Sequence, residues 1–248
     1  MKQQKRLYAR LLPLLFALIF LLPHSAASAA SWGYEGSHGP EHWGEFASEC
    51  SKGQNQSPIN IVSAAEAKLD KLQFDYHGKA ISLLNNGHTL QTSLEGDNTL
   101  LIDGNAFTLK QFHFHTPSEN HVDGKEYPLE AHFVHADTTG HLAVVAVFFQ
   151  SGKANPDLAK LLANIPSKDQ AVEIKLPFEA DALLPKDKAY YRFNGSLTTP
   201  PCSEGVRWLV MKEAQTISPE QIKAFTKVMG ENNRPIQPLN ARMVLMQH

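Results

Sequence analysis

The chain has 248 residues, 42% of them hydrophobic, with 23 basic against 25 acidic side chains and a formal charge of −2. Without a leader carrying Lys2, Lys5, Arg6 and Arg10 the basic count falls to 19 and the charge to −6, which argues against a nucleic-acid partner. The length suits one large core, and no repeat, low-complexity linker or composition shift marks a second domain.

At the N-terminus, basic residues, an apolar run from Leu11 to Leu22 and the small residues from Ser25 to Ala30 follow in the order of a secretory leader. The run contains Pro13 and falls short of the roughly 20 residues a spanning helix needs. The reading is therefore a cleaved signal peptide over residues 1–29, an exported domain over residues 30–248, and no stable membrane insertion after cleavage. Export to the periplasm or the exterior places the only two cysteines, Cys50 and Cys202, in an oxidising compartment, where a disulfide between them is expected. Residues 31–57, rich in Gly, Ser, His and Trp, show no period and are expected to wrap over a sheet, as is the tail over 231–242.

From Leu69 to Gln150, alternating apolar and polar residues bounded by Gly, Asn or Asp predict strands and hairpins, with turns at Asn86-Gly87 and Asp103-Gly104. The stretch from His141 to Phe149 is apolar on both faces and predicts a central strand covered from both sides. Within this region His113 and His115 stand two apart in an alternating pattern, so on a strand they share a face. A third ligand to a common ion would come from a neighbouring strand, and His132 supplies it, with Glu130 and Val134 on its face and His135 on the other.

Three neutral nitrogen ligands with an open fourth position describe a catalytic zinc site rather than a closed structural one. Gln111 precedes His113, and Glu130 precedes His132, at the spacing of groups that hold a ligand's other ring nitrogen. An H-x-H pair alone also fits paired structural histidines, and a Glu beside a buried His also fits a plain ion pair. The H-x-H-x-D-H of a metallo-β-lactamase is not matched, since Pro117 stands where Asp is needed. A cupin would add Glu119 but lacks its upstream Gly, Phe107 being there instead, and no second cupin motif follows.

Downstream, Asn155-Pro156 predicts the start of a helix reaching Ile165. Ser218 with Gln221 at capping-box spacing and Gly230 at the end predict a second helix from Ser218 to Met229, its Ile222, Phe225 and Met229 facing the core.

Blocks along nearly the whole exported part complete the picture: Trp32-Gly-Tyr34, the run from Gly39 to Trp43, Gln56-Ser-Pro-Ile-Asn-Ile61, the run from Asn85 to His88, Gln111-Phe-His-Phe-His115, Glu130-Ala-His132, Ser196-Leu-Thr-Thr-Pro-Pro-Cys202, and the run from Asn232 to Pro238. In these the sequence resembles the α-class carbonic anhydrases, in their bacterial exported form. The resemblance implies one β-dominated α/β domain around a large, twisted, mostly antiparallel central sheet with small peripheral helices. It implies Zn2+ on His113, His115 and His132, with Gln111, Glu130 and a backbone carbonyl near Asn232 holding the rings. The implied reaction is reversible hydration of carbon dioxide to bicarbonate and a proton by zinc-bound hydroxide, because zinc lowers the pKa of bound water from 15.7 to about 7.

The resemblance further implies that Thr198 accepts the hydroxide's proton and donates its own to Glu119, which aims a lone pair at the incoming carbon. Val134, Val144, Leu197, Thr199, Val206 and Trp208 would line the substrate pocket, and His88, with an ordinary pKa near 6.5, would relay the proton outward. A bridge from Cys50 to Cys202 would brace the loop presenting Leu197 and Thr198. Thr116-Pro117 stands where animal cytosolic members carry Trp-Gly. A non-catalytic carbonic anhydrase-like binding protein would have lost ligands, and all three are present here. A periplasmic zinc-binding protein would carry a mobile His-rich run, which His24, His38, His42, His77, His121, His135, His141 and His248 do not form. A homodimer is compatible with this sequence, which does not specify oligomeric state.

Overall fold

The structure, a computed structural model, describes residues 32–175 and 177–247. The expected leader and its cleavage point lie outside the described residues. The description below concerns the unit Ser31–His248.

Ten strands form the main ladder: β1 (Ala65–Ala67), β2 (Lys79–Asn85), β3 (Leu90–Glu95), β4 (Asn105–His115), β5 (Leu129–Ala136), β6 (Leu142–Ser151), β7 (Gln170–Glu173), β8 (Tyr190–Ser196), β9 (Glu204–Met211) and β10 (Leu245–Gln247). Their spatial order is β7-β2-β3-β4-β5-β6-β9-β8-β10-β1. Only β6 with β9 and β10 with β1 run parallel in this path, so the sheet is mostly antiparallel, as expected. The apolar run ending at Phe149 becomes β6, buried at every residue from Ala143 to Phe149 between β5 and β9.

Alternation divides the core between the two faces. Phe112, Phe114, Leu129, Ala131, Phe133, Val145, Val147 and Phe149 pack on one face in a large apolar cluster, while Val144, Ala146, Phe148, Val206, Trp208 and Val210 pack on the other. The period is broken once, between Leu109 and Gln111, where β4 carries one more residue than β5. Strict alternation would put Leu109 on the face of Gln111. The extra residue instead leaves Leu109 in the first cluster with Phe107 and turns Gln111, His113 and His115 to the second face.

The turn at Asp103-Gly104 is a two-residue hairpin with φ of 51° and 75°, closing Ile102 onto Asn105, the geometry that Asp-Gly favours. Two longer helices cover the first face. In α1 (Pro156–Leu162) the Asn155 side chain accepts from the N–H groups of Asp157 and Leu158. The helix stops short of Ile165, because Pro166 disfavours the helical conformation for the residue before it. In α2 (Pro219–Met229) the capping box between Ser218 and Gln221 is formed, Gly230 ends the helix, and Phe225 is buried. Both helices lie on the protein surface yet bury Leu158, Leu161 and Phe225 in the core.

Candidate metal centre

The antiparallel pairing of β4 with β5 sets His113 opposite His132 and His115 opposite Glu130. Two histidines on one strand and a third on its neighbour thus meet on the second face of the sheet. One ring nitrogen from each lies within 4.8 Å of the others, a spacing that one ion can satisfy.

Each ring is held by its other nitrogen. His113 Nδ1 lies 2.8 Å from Gln111 Oε1, and His115 Nδ1 lies 2.7 Å from the main-chain oxygen of Asn232. His132 Nε2 lies 3.0 Å from Glu130 Oε1, close although not aligned as a straight hydrogen bond. These contacts leave Nε2 of His113, Nε2 of His115 and Nδ1 of His132 for a common ligand. His115 Nε2 is buried with no hydrogen-bond partner among the described residues, an orphan that a metal ion would satisfy.

Burial holds all three imidazoles below their ordinary pKa, most strongly for His113 and His132, where His115 adds like-charge repulsion. They are therefore neutral at physiological pH, the form that binds zinc. The donor set is all nitrogen, buried and convergent, and it fits a zinc ion.

Glu130 is fixed as firmly as the ring it contacts. Its Oε2 accepts from the N–H groups of Glu119 and Asn120 at 2.7 and 2.9 Å, and its Oε1 accepts from Asn120 Nδ2 at 2.8 Å. Burial raises its pKa, and those donors oppose the rise. The role of Asn120 was not anticipated from sequence, since an Asn after a Glu carries no motif of its own.

Glu119 is also fully buried, and desolvation pushes its pKa well up; the Thr198 hydroxyl and the N–H of Arg234 act in the opposite direction. Its Oε1 accepts from Arg234 N at 2.9 Å, while Oε2 has no well-formed hydrogen bond and lies 3.5 Å from His115 Nε2 and 3.8 Å from His132 Nδ1. Glu119 thus lies beside the His115 and His132 rings, and the Thr198 hydroxyl acts on its carboxylate.

An apolar cluster forms beside the His132 ring. Val144, Val206 and Trp208 are buried in one cluster with Val134 and Leu197 packed on it, and the Trp208 ring lies 4.9 Å from that of His132. Trp208 Nε1 donates to Ser196 O at 3.0 Å, which satisfies the indole in this apolar setting. Thr199 sits at the turn whose carbonyl accepts from Cys202 N at 2.8 Å. Cys202 is bonded to Cys50, 152 residues away, with Cα atoms 5.0 Å apart.

His88 stands apart from the three rings, stacked on Trp32 with centroids 4.0 Å apart and planes 15° from parallel. It lines a cleft of about 510 Å³ with Tyr34, His38, Lys168 and Asp169. Partial burial lowers its pKa, the Lys168 charge lowers it further, and Asp169 opposes. The stacking partner Trp32 was not anticipated from sequence.

Residues 38–248 match the family model for eukaryotic-type carbonic anhydrase. The chain is 51% identical over 226 residues to a carbonic anhydrase of Pectobacterium carotovorum, covering 89% of this chain and 93% of that protein. It is 47% identical over 249 residues to a carbonic anhydrase of Neisseria gonorrhoeae, covering 96% of this chain and 98% of that protein. The solved structure of the Photobacterium profundum alpha-carbonic anhydrase superposes with a TM-score of 0.85 at 58% identity, covering 87% of this chain and all of that one.

Proposed function

The chain belongs to the eukaryotic-type carbonic anhydrase family, and from that premise we propose that it hydrates carbon dioxide reversibly to bicarbonate and a proton at a zinc ion held by His113, His115 and His132. The observation that carries the reading is the convergence of three neutral ring nitrogens, each ring steadied from behind by Gln111, Asn232 or Glu130. Zinc bound there supplies one thing, a water whose pKa falls from 15.7 to about 7.

The protein's own residues do the rest. Neutral ligands leave the ion's charge undiminished, which a carboxylate or thiolate would not. Thr198, donating to the Glu119 carboxylate, has only lone pairs left for the nucleophile's proton, so the attacking oxygen is turned toward the apolar wall. The Thr198 hydroxyl and the main-chain N–H of Arg234 favour the ionised form of Glu119 against the desolvation that raises its pKa. Val134, Val144, Leu197, Val206 and Trp208 offer carbon dioxide a surface without hydrogen-bonding competitors, and this reading adds Thr199, next to Thr198 in the chain, to the pocket. His88 carries the released proton from the site toward solvent.

The leader-like order of residues 1–29 and the bond between Cys50 and Cys202 support a periplasmic or secreted enzyme. Cell fractionation with N-terminal sequencing of the exported protein tests this; a chain retained inside with its leader would refute it. Metal analysis with carbon dioxide hydration assayed before and after chelation tests the reaction. Zinc near one per chain, loss on chelation and return on adding zinc are expected, and activity in the metal-free protein would overturn the reading.

A further inference from the structure

Arg234 lies in the tail with only 2% of its surface exposed, and among the described residues its guanidinium reaches no carboxylate. Nη1 donates to Gln56 Oε1 and to the main-chain oxygen of Ser57, each at 2.8 Å, and Nη2 donates to the main-chain oxygen of Cys50 at 2.8 Å. The Arg234 Cζ lies over the Trp43 ring, 5.7 Å from the centroid. Three neutral acceptors and an aromatic face fix the direction of this cation, while the charge that balances it is that of Glu119. At the other end of the same residue, the main-chain N–H donates to Glu119 Oε1 at 2.9 Å.

Gln56 extends the arrangement. Its Oε1 accepts from Arg234, and its Nε2 donates to the main-chain oxygen of Cys202 at 3.0 Å. Gly53 leaves room for that amide, because a Cβ there would meet Gln56 Nε2 at 2.3 Å. A closed circuit results: Cys50 to Cys202 through the disulfide, Cys202 to Gln56 to Arg234, and Arg234 back to Cys50. Two branches leave it for the active site. Cys202 N holds the Thr199 carbonyl beside Thr198, and Arg234 N holds Glu119.

We propose that Arg234 is a positioning residue: anchored on the disulfide-bearing segment through Cys50, Gln56 and Ser57, it sets the Glu119 carboxylate against Thr198 so that both partners of that contact are referred to one rigid frame. The inference rests on the reading that Glu119 and Thr198 orient the nucleophile.

The test compares Arg234→Met, Arg234→Lys, Glu119→Gln and the double variant Arg234→Met with Glu119→Gln, all as zinc-loaded full-length protein, measuring kcat, KM and zinc content. Arg234→Met is expected to keep its zinc and lose about tenfold to a hundredfold in kcat/KM, the scale of a slightly misplaced reacting group. Arg234→Lys, which retains the cation, should lose less. In the Glu119→Gln background, Arg234→Met should cost less than about twofold more, because a residue acting through Glu119 has nothing left to position. Should Arg234→Met fail to fold, Gln56→Met removes one anchor of the guanidinium and carries the same non-additive expectation. Wild-type kcat/KM in the folded Arg234 or Gln56 variant, or losses that multiply with that of Glu119→Gln, would overturn the proposal. If Glu119→Gln itself keeps full kcat/KM, the orienting role of Glu119 fails and this inference with it. If Glu119→Gln loses activity and Arg234→Met does not, only this inference fails.

Discussion

His113 and His132 face each other across the pairing of β4 with β5, their ring centroids 5.4 Å apart, and each is steadied by a polar residue two positions earlier on its own strand. The candidate ligand set is thus a property of two strands in one register. A slip of one residue would turn every ligand of the slipped strand to the opposite face.

That geometry makes ligand charge the quantity to vary. His132→Asp keeps a donor on the same face but replaces a neutral imidazole by an anion, which offsets part of the ion's charge and leaves the bound water less acidic. The variant should retain some metal and lose most of its carbon dioxide turnover, as measured by stopped-flow hydration with metal analysis. Full activity would contradict the account of the neutral ligands.

The proposed proton exit through His88 would give a buffer-dependent signature. His88→Ala should lower kcat in weak buffer while sparing kcat/KM, and imidazole in solution should restore much of the loss. The same reading assigns Lys168 an electrostatic part, since its charge helps hold the His88 pKa down. Lys168→Met should move the kcat profile of the wild-type shuttle toward higher pH. Unchanged turnover in His88→Ala, with no imidazole effect, would remove the relay role.

His135 predicts a stability effect away from the three-histidine site. It is fully buried on the opposite face of β5, its Nε2 is hydrogen-bonded to the Tyr76 hydroxyl, and burial pulls its pKa down to about 4. The unfolded chain binds this proton near pH 6.5 and the folded one only near pH 4. The contribution to stability is therefore complete above pH 6.5 and lost as pH falls toward 4. His135→Gln should lose about 2 kcal/mol less than wild type between pH 7 and pH 4.5. Urea unfolding at both pH values measures this, and parallel losses in the two proteins would refute it.

The Cys50–Cys202 bond closes a span of 152 residues. The chain-entropy model puts such a link at about 4 to 5 kcal/mol, with measured values often smaller. Reduction, or Cys50→Ser with Cys202→Ser, should lower the urea midpoint clearly. Identical unfolding with and without reductant would show that the bridge contributes nothing to stability.

Much of the fold was legible because it depends on side-chain order. The two-sided apolar run of β6, the Asp103-Gly104 turn and the caps at Asn155 and Ser218 all appear where the residues place them. The extra residue in β4 also left a trace. Apolar positions shift from the odd pair Phe107 and Leu109 to the even pair Phe112 and Phe114, a change of parity that a regular strand cannot accommodate. The first helix ran shorter than its apolar pattern suggested because Pro166 acts backwards on the chain before it.

By itself the sequence determined which side chains could serve as ligands, which faces they occupy and which residues could steady His113 and His132, since strand periodicity acts on neighbours two positions apart. Tertiary structure decided what periodicity cannot reach. The partner of His115 is a main-chain carbonyl 117 residues away, chemically the same as any other carbonyl until the tail folds over the sheet, and the residues alone pointed to it only through the family resemblance. The anchoring of Arg234 on Cys50, Gln56 and Ser57, 177 to 184 positions distant, has the same origin. A buried cation takes whatever acceptors the closed chain brings to it, and only the closure of the N-terminal segment against the tail selects them.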